Sequence, residues 1–88
     1  MYKILKIFEF GFTFELENQN PFFNNQEYDI YVDEKKFLTT NKNVVTIVNL
    51  ESNKRYSIKL KFINSEINFE ITTNKIDYLI NIKNYNAN

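Results

Sequence analysis

The sequence has no cysteine, no histidine and no tryptophan, and glycine, proline, methionine and arginine occur once each. Each absence removes a class of chemistry. Without Cys there is no disulfide and no thiolate nucleophile, and without Cys or His there is no zinc site of the usual kind. Without His there is no imidazole base. An excess of one charge is lacking too. The 11 Lys+Arg balance 11 Asp+Glu, so nothing draws the chain to nucleic acid or to an anionic membrane. No apolar run approaches the roughly 20 residues that span a bilayer. Lys6 and Glu9 interrupt the first residues, so no secretory apolar segment forms. With Met1 as the native start, the expected location is the cytoplasm.

What remains is enough for one modest core. The chain has 88 residues, 43% apolar and 17% aromatic, the size and composition of a single domain rather than of a disordered segment. Asn occurs 15 times, beside 11 Ile, 10 Lys, 9 Phe and 6 Tyr. All five types have AT-rich codons, which fits a low-GC genome; an Asn-rich sugar-binding surface is the functional alternative.

The dominant period is two. Phe8, Phe10, Phe12, Phe14 and Leu16 alternate with Glu9, Gly11, Thr13, Glu15 and Glu17, the pattern of half-buried strands. Gly11 permits a bend, which divides the run into strands over Tyr2 to Phe8 and Phe12 to Leu16. Asn18-Gln19-Asn20-Pro21 stops the second, and a loop runs to about Glu27. A strand over Tyr28 to Val32 puts Tyr28, Ile30 and Val32 on one face, and Asp29 and Tyr31 on the other. Asp33-Glu34-Lys35-Lys36 reads as a polar turn, Phe37 to Thr39 as a short strand and Asn41-Lys42-Asn43 as a second turn. Val44 to Val48 is β-branched throughout. Tyr56, Ile58, Leu60 and Phe62 alternate with polar residues, Asn64-Ser65 is a hairpin turn, and Ile67, Phe69 and Ile71 return. Thr73-Asn74-Lys75 reads as a boundary, with a last short strand from Tyr78 to Ile82. No apolar spacing is helical. The expectation is an all-β, seven-stranded antiparallel β-sandwich.

Leu50 and Tyr56 flank Glu51-Ser52-Asn53-Lys54-Arg55. This link resembles the tyrosine corner of Greek-key sandwiches, where a Tyr hydroxyl bonds back to the backbone a few residues upstream. With Val45 and Ile47 before it, the segment is similar to strands E and F of a fibronectin type III, immunoglobulin-like domain. Ser52 stands where that corner usually has Pro, and Phe12 or Phe14 would fill the space of the usual Trp. Phe14-Glu15-Leu16-Glu17-Asn18 with Pro21-Phe22, then Thr39-Asn41-Asn43-Val44, Thr72-Thr73 and the tail Tyr78 to Ala87, resemble in order and spacing the N-terminal part of bacterial polygalacturonases of glycoside hydrolase family 28. The tail is similar to the phrase that opens their β-helix, with Asn84 and Asn86 in place of Asp and Gly.

The resemblance implies a fibronectin type III-like domain over 1–74, and a linker with the first strand of a β-helix catalytic domain over 75–88. The implied role is a non-catalytic accessory domain of a pectin-degrading enzyme, with that β-helix in the same full-length chain as its partner and oligogalacturonate as a second candidate partner. A carbohydrate-binding module and a generic protein-interaction sandwich are the alternatives. The acid and base of the family are β-helix Asp residues, so no catalytic residue, metal ligand or cofactor is expected among these. Asp29, Asp33 and Asp77 read as local polar residues. Glu15 and Glu17 lie about 7 Å apart along one strand face, within the spacing of an inverting pair, but alternating carboxylates are routine on a solvated face. Lys59 and Lys61 are expected to pair across strands with Glu70 and Asn68, in that order. Phe22 and Phe23 are candidates for sugar stacking or for packing between domains, as is Tyr31. Phe10, beside Gly11, is expected to be exposed in its turn and to share that role.

Overall fold

The computed structural model describes residues 2–17 and 26–76. These form seven strands and no helix: β1 (Tyr2–Phe8), β2 (Gly11–Leu16), β3 (Tyr28–Val32), β4 (Lys35–Thr40), β5 (Val44–Ile47), β6 (Arg55–Lys61) and β7 (Glu66–Thr72). They make two antiparallel sheets, a three-stranded one in the order β1-β2-β5 and a four-stranded one in the order β4-β3-β6-β7. Phe22, Phe23, Asp77 and the expected strand from Tyr78 to Ile82 lie outside the described residues.

Alternation in the sequence becomes inside and outside in the fold. Phe12, Phe14, Val45 and Ile47 from the first sheet join Tyr28, Ile30, Tyr56, Ile58, Leu60 and Ile71 from the second in one buried cluster. Phe69 ties the sheets together. Its ring meets Phe12 and Phe14 edge-on, with centroids 6.3 and 6.4 Å away, and stacks on Tyr2 at 4.3 Å. Such pairs add about 0.5–1.5 kcal/mol each beyond their buried area.

Two turns differ from expectation. The turn between β3 and β4 is Asp33-Glu34 alone, and Lys35 and Lys36 already belong to β4. Both turn residues have positive φ, 51° and 68°, the geometry whose twist matches that of the flanking strands. The link from β6 to β7 spans Phe62 to Ser65, closed by Phe62 N–H donating to Ser65 O at 2.8 Å. The cross-strand partners shift accordingly: Lys61 faces Glu66, Lys59 faces Asn68, and Glu70 faces Ser57, with Arg55 4.0 Å away.

Alternation also fails at two bulges. Between Ile4 and Lys6 the register of β1 slips by one, leaving Leu5 unpaired. On β4, Ile30 faces Leu38 and Tyr31 faces Lys36, so Phe37 is the extra residue. Both strands are sheet edges, where bulges concentrate. Leu5 and Phe37 are exposed as a result.

The strand directions give the molecule two ends. At one lie the β1–β2 turn, the β3–β4 turn, the link from β5 to β6 and the chain after β7. At the other lie Tyr2, the β4–β5 link and the β6–β7 link.

Candidate functional site

The first end is built around Tyr56. Its ring is buried, and its hydroxyl accepts the Glu51 N–H at 2.7 Å. Leu50 is buried beside it in the core, and Leu50 N–H donates to Phe10 O at 2.9 Å. To reverse between sheets, the link places Asn49 and Asn53 at φ 68° and 54°. Asn tolerates this left-handed region better than other residues with a side chain. In a chain with one glycine, Asn takes that role here.

Thr73 and Asn74 complete the end. Thr73 is only 2% exposed. Its hydroxyl donates to Glu51 O at 2.6 Å and accepts the Lys54 N–H at 3.0 Å. Its own N–H donates to Lys54 O at 3.0 Å. Asn74 spans to the other sheet: its N–H donates to Phe8 O at 3.0 Å, and its side-chain amide to Ile7 O at 2.8 Å. Among the described residues, no buried side-chain polar atom lacks a partner.

Gly11 sits at the same end, and its role is steric. A Cβ there would lie 1.9 Å from Ile47 O. The turn it follows leaves Phe10 51% exposed. Nearby, Val48 is 44% exposed, and the Lys6 ammonium lies 5.9 Å from the Phe8 ring centre.

Tyr31 lies elsewhere, on the outer face of the four-stranded sheet. Its register partners are Lys36 on one side and Lys59 on the other, and the Lys59 ammonium lies 5.6 Å from its ring centre. Beside it, Asp29 accepts a hydrogen bond from the Thr39 hydroxyl and faces the Lys36 ammonium at 3.6 Å. The Thr39 bond, helped by the positive charges of Lys36 and Lys61, holds the Asp29 carboxyl below its ordinary range. The structure therefore brings Leu50, Tyr56 and Phe10 to one end and leaves Tyr31 apart from them. Glu15 lies on the outer face of the other sheet, facing Lys3 and Val44.

At the opposite end, Tyr28 stacks on Phe62 with centroids 5.0 Å apart, and its hydroxyl donates to Lys42 O at 2.7 Å. Burial pushes this phenol up to about 12.

Among the described residues, no three Asp or Glu carboxylates gather to hold a metal, and no helix is long and apolar enough to cross a membrane. No family model matches the chain, and no curated protein is significantly similar to it. Thr73 and Asn74 are the residues that strand patterning misses. Their partners lie 19 to 67 positions away, so no local signal marks them.

Proposed function

We propose that the chain is a seven-stranded β-sandwich of fibronectin type III type, serving as a non-catalytic accessory domain of a pectin-degrading glycoside hydrolase. The strand order, with β4 joined to β3 rather than to β5, and the Tyr56 hydroxyl bond to Glu51 support the fold assignment. The observation that carries the role is at the first end. Exposed Phe10 stands in the turn that follows β1, whose end Asn74 pins to the outgoing chain. An exposed aromatic beside a chain exit suits packing against a following domain. The enzyme class rests on the sequence resemblance alone.

The test is to read the encoding gene past the codon for Asn88. Glycine- and aspartate-rich β-helix coils with paired Asp residues would support the role. In that longer protein, Phe10→Ser should then lower the melting midpoint of the catalytic domain. A stop codon at that point would overturn the assignment.

A second reading has its own observation. Tyr31 offers a ring on a flat sheet face between Lys36 and Lys59, a surface that suits an acidic sugar. Titrating labelled protein with trigalacturonate should then move the Tyr31, Lys36 and Lys59 resonances saturably. Resonances that stay put would remove this reading and leave the first intact.

A further inference from the structure

Among the described residues, four strand edges border the two sheets, and three of them carry features that discourage pairing with another chain. β1 is bulged at Leu5 and carries Lys3 and Lys6. β4 is bulged at Phe37 and begins Lys35-Lys36. β7 carries Glu66 and Glu70 on its outer face, so an antiparallel copy centred on Asn68 would set Glu66 against Glu70. Bulges and charges are the usual protection of an edge.

β5 has neither. Val44-Val45-Thr46-Ile47, continued by Val48, is uncharged and free of proline, and Val44 to Ile47 pair in unbroken register with β2. Its free side follows from the ladder. Leu16 N–H donates to Asn43 O at 2.8 Å, which makes Leu16 and Asn43 a hydrogen-bonded pair. By alternation, Val45 and Ile47 bond to β2, while the N–H and C=O groups of Val44, Thr46 and Val48 point to the open side. The side chains of Val44 and Val48 are 49% and 44% exposed.

We propose that this edge pairs with β5 of a second copy of the chain, antiparallel about a two-fold axis through Thr46. That register makes Thr46 face Thr46 of the second copy, and Val44 face Val48. The residues whose amides are open are then the residues that would exchange bonds. No like charges meet along the seam. The charges flanking the segment, Lys42 before it and Glu51 after it, have opposite signs, and the two-fold axis brings Lys42 of each copy toward the Glu51 end of the other. The Thr13–Thr46 hydroxyl contact of 2.8 Å would continue as a threonine ladder across both sheets, which join into one. A seam this short buries little area, so the pair is weak and concentration-dependent.

The test is sedimentation equilibrium of the chain into the millimolar range, with amide exchange measured at low and high concentration. A dimer is expected, with Val44, Thr46 and Val48 amides gaining protection as concentration rises. Thr46→Lys sets two ammonium groups across the axis and should raise the dissociation constant roughly tenfold. Asn68→Lys on β7 should leave it unchanged. A chain that stays monomeric, with exchange at those amides independent of concentration, overturns the proposal. So does a dimer that Thr46→Lys does not weaken, or one protected along β4 or β7. If Thr46→Lys does not fold, the exchange pattern of the unaltered chain decides alone.

Discussion

The two ends of the sheets close the same core by different chemistry. At the corner end, the Tyr56 hydroxyl, Thr73 and Asn74 bind backbone groups of two separate segments, the link from β5 to β6 and the end of β1. At the opposite end, Tyr28 and Phe62 cap the core by stacking, with one hydroxyl bond to Lys42 O. The corner end depends on every donor meeting an acceptor in low dielectric, so each loss there leaves a buried group unpaired. The stacked end depends on contact area and on one phenol that must keep its proton. One end is sensitive to geometry, and the other to alkali.

Gly11→Ala should show this most strongly. Its Cβ meets a backbone carbonyl that cannot move without parting β2 from β5, so a loss of about 3 kcal/mol or outright failure to fold is expected in urea denaturation. Thr73→Val keeps the shape and deprives Glu51 O and Lys54 N–H of their partner. It should cost about 2–3 kcal/mol. Tyr56→Phe removes one acceptor from the same web and should cost about 1–2 kcal/mol.

Tyr28→Phe sharpens the contrast through pH. The folded phenol sits at about 12 against an ordinary 10.0. A raised acid group stabilises the fold fully below its unfolded value, and that contribution fades as pH climbs to the folded one. Stability of the unaltered chain should therefore fall between pH 10 and 12, and Tyr28→Phe should flatten that decline. A decline that Tyr28→Phe leaves unchanged would remove the contrast between the ends. The smallest effect is a gain. Glu34 holds φ 68° in the β3–β4 turn, where Glu34→Gly should add about 0.5–1 kcal/mol by thermal melting.

The fold was legible where side chains alternate against one buried face. In β2, β6 and β7 the apolar positions Phe12, Phe14, Ile58, Leu60 and Ile71 could be read directly, and each is buried. Leu5 and Phe37 could not be placed. A bulge is a property of two strands in register, and one strand read alone does not contain it. The Lys61–Glu66 register departs from expectation for a related reason, because the β6–β7 turn is built on Ile63-Asn64 rather than Asn64-Ser65. At the candidate site, the spacing of Leu50 and Tyr56 marks the corner. The residues that lock it, Thr73 and Asn74, reach across the chain to partners that proximity in sequence never suggests.

That lock has a mechanical side. β1 and β7 run in the same direction in opposite sheets, and Asn74 fastens the end of one to the end of the other. A pull that separates residue 2 from residue 76 therefore acts along the strands. The β1–β2 ladder is loaded in shear, so its bonds share the force instead of opening one by one. The two Asn74 bonds to Ile7 O and Phe8 O stand first in that path, as the latch that yields before the sheets slide.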